Sequence, residues 1–240
     1  MNTILFDLDG TLLQMDQDQF VGSYMKALAG RFAGQGYVPE HFMKALMMAV
    51  KAVVKNDGTM SNEERFWQVF AGGLGDDIRE KDAEFMDFYK TEFPKLSYVA
   101  EKSDKSRKVV DLLKAKGYDL VLATNPLFPQ TATYQRVGWA GLETDDFSFI
   151  TTYENSSFCK PFPAYFSELL EKLGKKPEDC MMVGNDVDDD ILSSAQLGMK
   201  NYLITNYLIN RKERDLTGVQ KGDFDAFLAF AESLPDAAKG

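Results

Sequence analysis

One histidine and two cysteines stand among the 240 residues of this chain. Cys159 and Cys180 make neither a metal-binding spacing nor a disulfide scaffold, so a reduced, cytoplasmic protein is the expectation. His41, the sole histidine, stands where a helix begins and reads as a surface residue rather than a base. No apolar stretch approaches the ~20 residues of a membrane helix, and no basic segment leads into an apolar one in the manner of a secretory signal. Internal repeats and low-complexity tracts are also missing. Positive charge is scarce: 27 Lys and Arg against 37 Asp and Glu give a net charge of -10. That balance argues against nucleic acid and anionic membranes, and an anionic substrate would need positive charge placed locally. What is plentiful is core material. The hydrophobic fraction is 45%, with 18 Phe and 10 Tyr, enough for one large domain or two small ones.

The apolar pattern divides the chain. Thr3-Ile4-Leu5-Phe6 reads as a buried strand. From about Asp16 to Leu96 the spacing is helical: Phe20, Tyr24, Leu28 and Phe32, then Phe42, Leu46, Val50 and Val53. Ser61-Asn62-Glu63-Glu64 is a capping-box sequence before Phe66, Trp67 and Phe70, and a fourth helix is expected from Glu80 to Phe93. From about Ser103 helices and strands alternate. Helices are expected at Lys105–Lys116, Gln130–Val137, Pro161–Leu173 and Asp188–Leu197. Strands are expected at Asp119–Asn125, Phe147–Thr151, Cys180–Gly184 and Tyr202–Thr205, the last of the sheet. This predicts an α/β core with a parallel sheet covered on both faces, interrupted after its first strand by a bundle of about four helices. The expected division is a core of residues 1–15 and 100–240 and a helical domain of 16–99.

Polar residues gather at the strand ends, where open parallel sheets bind ligands. Asp7 and Asp9, two residues apart after the first strand, point the same way if the strand persists, and Gly10 lets the chain turn. A buried carboxylate pair asks for a metal ion, a proton-transfer role, or both. Thr124 and Asn125 end a second strand, Asp186 follows a third with Asp190 four residues on, and Lys160 precedes a helix. Each alone has an ordinary account: an acidic turn, a strand-end turn, a surface lysine, a solvated helix start. Asp188 and Asp189 are expected to be such a helix start.

Together, Asp7-Leu8-Asp9-Gly10-Thr11, Thr124, Lys160 in Cys-Lys-Pro, and Asp186 with Asp190 resemble, in order and spacing, the four motifs of the haloacid-dehalogenase-like hydrolase superfamily. The resemblance spans essentially the whole chain and matches the phosphatase branch with a helical cap inserted after the first motif. Asn185 stands where the family's glycine precedes the first acid of the fourth motif, Gly184 lying one residue earlier. A metal ligand one place off is therefore the alternative to Asp186; the choice of Asp186 places Asp190-Ile191 and Leu197-Gly198 at the family's spacing. The resemblance implies a Rossmann-like three-layer core and a phosphohydrolase acting on a small phosphorylated metabolite. It implies Asp7 as nucleophile, Asp9 as general acid and base, and Thr124, Asn125 and Lys160 as phosphate-binding groups. It further implies Mg2+ held by Asp7, the Asp9 carbonyl and Asp186, with Asp190 in support.

Gln14 to Asp18 and the Asn56-Asp57-Gly58-Thr59 loop are expected to face the substrate, and Met43, Met47 and Met48 to line the bundle core or a pocket. Cys159 is expected to be a small, semi-buried residue. The alternatives are a phosphomutase of the beta-phosphoglucomutase type and, from another class, a non-catalytic binding protein retaining the fold. A phosphonatase would want a cap lysine, for which Lys26, Lys44, Lys51 and Lys55 are available. A dehalogenase is disfavoured by Asp9, since displacement at carbon needs no acid for an alkoxide. Monomer or weak dimer is the expected state.

Overall fold

A computed structural model describes residues 1–237 of the chain. Its strands are β1 (Thr3–Phe6), β2 (Asp119–Leu122), β3 (Phe149–Ile150), β4 (Cys180–Gly184), β5 (Lys200–Ile204) and β6 (Lys221–Gly222). They form one parallel sheet in the order β3-β2-β1-β4-β5-β6. β1 is buried at every position, as a strand covered on both faces must be. Thr3 is in register with Asp119 of β2 on one side and Cys180 of β4 on the other. The chain moves outward from β1 through β2 and β3, then returns to build the other half from β4. The reversal opens a crevice at the carboxyl end of β1, where ligands of such sheets bind.

Between β1 and the rest of the sheet lie four helices: α1 (Gln17–Ala33), α2 (Pro39–Val54), α3 (Asn62–Leu74) and α4 (Asp82–Thr91). Short 3-10 segments at Asp76–Lys81 and Phe93–Val99 flank α4, which is shorter than the Glu80–Phe93 expectation. The stripe Phe20, Tyr24, Leu28 and Phe32 is buried. Phe32 stacks on Phe42 at 4.9 Å and meets Phe85 at 4.3 Å, so aromatic contacts tie α1, α2 and α4 together. The Ser61–Glu64 capping box forms and starts α3. The two crossings into this insertion run side by side, with Glu101 N donating to Gln14 O at 2.8 Å.

The remaining helices are α5 (Lys105–Ala115), α6 (Gln130–Trp139), α7 (Pro163–Leu173), α8 (Ser193–Ala195) and α9 (Phe224–Ser233). Alternate residues of β1 face opposite layers: Ile4 and Phe6 pack with Val109, Val110 and Phe227, while Leu5 packs with Phe166 and Leu169. Among the described residues no helix is long and apolar enough to cross a membrane.

Two departures from expectation matter. The sheet does not end at Thr205: β6 and α9 follow. A two-residue edge strand has no period to read, and the polar run from Asn206 to Gln220 hides its connection to α9, which Asp223 caps. The helix expected at Asp188–Leu197 begins instead as a wide π turn over Val187–Leu192 before α8. Asp186 caps that turn, its Oδ1 accepting from Asp188 N and Asp189 N at 2.9 Å. The wider turn brings Asp190 back against the end of β4, where Asp186 N donates to Asp190 Oδ2 at 3.0 Å. Only glycine fits at 184, because a Cβ there would overlap the Asp190 carboxylate.

Candidate active site

Asp7 follows β1 directly, and its N–H still donates to Val183 O at 2.9 Å. The chain turns at Gly10 with φ +87, a conformation open to glycine, and a Cβ there would stand 2.3 Å from the Asn185 amide nitrogen. Thr11 then folds back, its hydroxyl lying 3.4 Å from Asp7 Oδ2 and 3.1 Å from Asn185 Oδ1. Lys160 is the centre of the cluster. It is 1% exposed, with Nζ 2.9 Å from Asp7 Oδ1 and 2.7 Å from Asp190 Oδ1. Burial alone would lower its pKa; Asp190 and Asp7 outweigh that and hold the ammonium well above its ordinary range. Burial likewise pushes the Asp190 carboxyl up, and the Lys160 ammonium opposes it only in part.

Thr124 follows β2, and its carbonyl accepts from Thr151 Oγ1 at 2.7 Å and Tyr165 Oη at 3.0 Å. Asn125 Nδ2 reaches Lys160 O at 3.4 Å and Asp189 Oδ2 at 3.3 Å. Asp189 is thus part of the cluster rather than a solvated helix start. Burial and then the neighbouring Asp186 push its carboxyl up to about 6. Asp188 does face outward, where Arg214 at 3.0 Å and Lys212 at 3.2 Å neutralise it.

The carboxylates of Asp7, Asp9 and Asp186 do not converge as three side chains. No group of three His, Cys, Asp or Glu side chains closes on a common point among the described residues. The Asp9 carboxylate is engaged elsewhere, its Oδ2 ion-paired with Arg136 Nη1 from α6. What remains suits a hard divalent cation: Asp7, and Asp186, whose carboxyl is raised by burial and also by the charge of Asp7. With the Asp9 carbonyl these are oxygen donors, and neither cysteine shares the cluster as a thiolate, burial pushing both thiols up.

Arg136 was not expected here. It is fully buried, with its guanidinium 4.4 Å from the Phe128 ring centroid and 5.5 Å from that of Phe20. A signal exists in α6: Arg136 shares the face of Ala132, Thr133 and Val137, all buried, which is no place for a surface arginine. Asn62 was also missed. Its Nδ2 donates to Pro126 O at 3.3 Å and Phe158 O at 3.2 Å, docking the start of α3 on the loops that carry Asn125 and Lys160.

The loop at Asn56–Thr59 stands beside that docking point, with Gly58 against the Phe158 ring. Gln14, expected to face the substrate, turns back onto the first motif. It is buried and its amide donates to Thr11 O at 2.5 Å. Asp16 is the exposed cap of α1, and Asp18 pairs with Arg211 at 3.0 Å. Cys159 is completely buried rather than semi-buried, and Met47 and Met48 are exposed rather than core. Met47 does border an apolar cavity of about 240 Å³ whose walls include Tyr24, Trp67, Phe85 and Phe128.

The haloacid dehalogenase-like hydrolase family profile matches residues 1–198. The chain belongs to this family of hydrolases. Among its curated relatives, the phosphoglycolate phosphatase of Aquifex aeolicus is 26% identical over 203 residues, covering 85% of this chain and 84% of that protein. The glyceraldehyde 3-phosphate phosphatase of Methanothermobacter thermautotrophicus is 34% identical over 114 residues, 47% of either chain. Among solved structures, the 2-haloacid dehalogenase of Pseudomonas syringae superposes with a TM-score of 0.65 at 22% identity, covering 97% of this chain and 99% of that one. That likeness establishes the α/β fold of the family.

Proposed function

We propose that the protein is a magnesium-dependent phosphohydrolase that cleaves a small phosphorylated metabolite through a phosphoryl group carried on Asp7. The observation that carries this reading is the Asp7–Lys160 pair, 2.9 Å apart at the carboxyl end of β1. A carboxylate is a competent nucleophile toward phosphorus, and the lysine beside it supplies the positive charge that an otherwise acidic chain must place locally. An Asp7 oxygen bonds to phosphorus as the ester P–O bond breaks, and the leaving oxygen takes a proton from Asp9. Water then attacks the phosphoryl group, giving its proton to Asp9 and releasing phosphate with Asp7 restored. Thr124, Asn125 and Lys160 bind the phosphoryl oxygens, and Asp190 orients Lys160. Asp7, the Asp9 carbonyl and Asp186 would hold Mg2+, which supplies positive charge between the acids and the incoming phosphate.

The helical insertion, residues 16–99, serves as a cap over a core of 1–15 and 100–240, closing about the paired strands of chain at Gln14 and Glu101. The curated relatives support the phosphate-ester class, since the two described above are named as phosphatases. The test is a panel of phosphorylated metabolites assayed with magnesium and with EDTA. Phosphate release on at least one ester that EDTA stops and magnesium restores is the expected outcome. Full activity in EDTA contradicts it.

A further inference from the structure

Arg136 is the only arginine buried among the described residues, and its surroundings satisfy it poorly. A buried guanidinium is stable only when its donors are answered. Here one Asp9 oxygen and the Thr133 hydroxyl at 3.4 Å are its partners, Arg136 Nε donates to nothing, and Asp9 Oδ1 accepts nothing. Phe128 and Phe20 cover the guanidinium and favour its charge, but aromatic faces are not acceptors for in-plane N–H groups. The pairing also turns the carboxylate of Asp9 toward α6, although the reaction proposed above needs it at the leaving oxygen.

We propose that Arg136 is the receptor for an anionic group on the leaving half of the substrate, and that the Asp9 carboxylate occupies it until the substrate arrives. The phosphoryl group goes to Asp7, Lys160 and Thr124; a carboxylate or second phosphate a few bonds beyond the ester oxygen displaces Asp9 from Arg136. The planar fork suits such a group, because Nη1 and Nη2 can bind two oxygens of one anion side by side. Displacement releases Asp9 toward the leaving oxygen, so substrates lacking the anion leave Asp9 held. The inference rests on the phosphohydrolase reading and deepens it to a substrate class: short phosphate monoesters that carry a second negative charge.

Three esters separate the possibilities in the intact enzyme with magnesium: 2-phosphoglycolate, ethyl phosphate of the same carbon count without the carboxylate, and phenyl phosphate. Wild type should favour 2-phosphoglycolate over ethyl phosphate by about 100-fold in kcat/KM, the size of a charge-assisted contact. Arg136→Gln should shrink that ratio to about threefold, and Arg136→Lys, which keeps charge but loses the fork, should fall between. Equal wild-type rates on the two aliphatic esters overturn the inference, whether or not the variants fold. So does an Arg136→Gln enzyme that folds and keeps the full ratio. Preference for phenyl phosphate over both overturns it as well and assigns the leaving group to the apolar cavity beside Phe128. Hydrolysis of none of the three overturns this inference, while the metabolite panel with magnesium decides the phosphohydrolase reading separately.

Discussion

At the scale of single residues, the site is a problem in charge. Lys160 Nζ lies within 3 Å of a carboxylate oxygen of both Asp7 and Asp190, and the lysine is the only cation bonded to either acid among the described residues. Remove it and two carboxylates face each other with nothing between them. Lys160→Met should therefore lower stability by about 3–5 kcal/mol, read from urea unfolding, because a buried pair broken on one side leaves an unanswered charge. An unchanged midpoint would mean that the acids find other partners and that Lys160 is not the keystone of the cluster. Asp7, Asp9, Lys160, Asp186 and Asp190 were legible in the sequence because each stands beside a strand end or a helix start that the apolar pattern already marks. Arg136 was not: its partner lies 127 residues away, and only three-dimensional packing shows that α6 turns that face to Asp9.

At the scale of elements, the positions of helices depend on a few buried contacts between distant segments. Asp146, in the turn before β3, accepts from Arg107 Nη1 at 2.5 Å and Nη2 at 3.1 Å and from Lys114 at 2.8 Å, pinning α5 to that turn. Burial would raise its carboxyl, but these donors outweigh it and hold Asp146 well below the ordinary carboxylate range. A depressed folded-state pKa gives stability that is fully present above the unfolded value of about 3.9, declines below it, and is lost only as pH falls through the lower folded-state value. Asp146→Asn should cost about 1–2 kcal/mol at pH 7, the low end for charged hydrogen bonds because solvent reaches Lys114, and the deficit should have narrowed clearly by about pH 2. A deficit equal at both pH values would assign the loss to packing. The helical stripes from Phe20 to Phe70 and the strand Cys180–Gly184 were readable from period and caps alone. The π turn after Asp186 was not, since its local sequence is that of any acidic helix start and its shape comes from Asp190 bonding back to Asp186 N.

At the scale of the whole molecule, helical insertion and sheet meet over the candidate site. Asn62 ties α3 to the loops carrying Asn125 and Lys160, and Arg211 reaches from the core to Asp18 of α1. The aromatic cavity and Arg136 share Phe128, so an apolar wall and a buried cation stand side by side. The net charge of -10 makes such local cations decisive for an anionic ligand. The proposed chemistry depends on Asp7 as the group that takes the phosphoryl. The direct measurement is to quench a single turnover in acid and weigh the peptide that contains Asp7. That peptide should carry one added phosphoryl group in the wild type and none in Asp7→Asn, whose turnover should fall below about a hundredth of wild type while its fold persists. A phosphoryl group on another residue, or an Asp7→Asn enzyme that still turns over near the wild-type rate, would contradict the account.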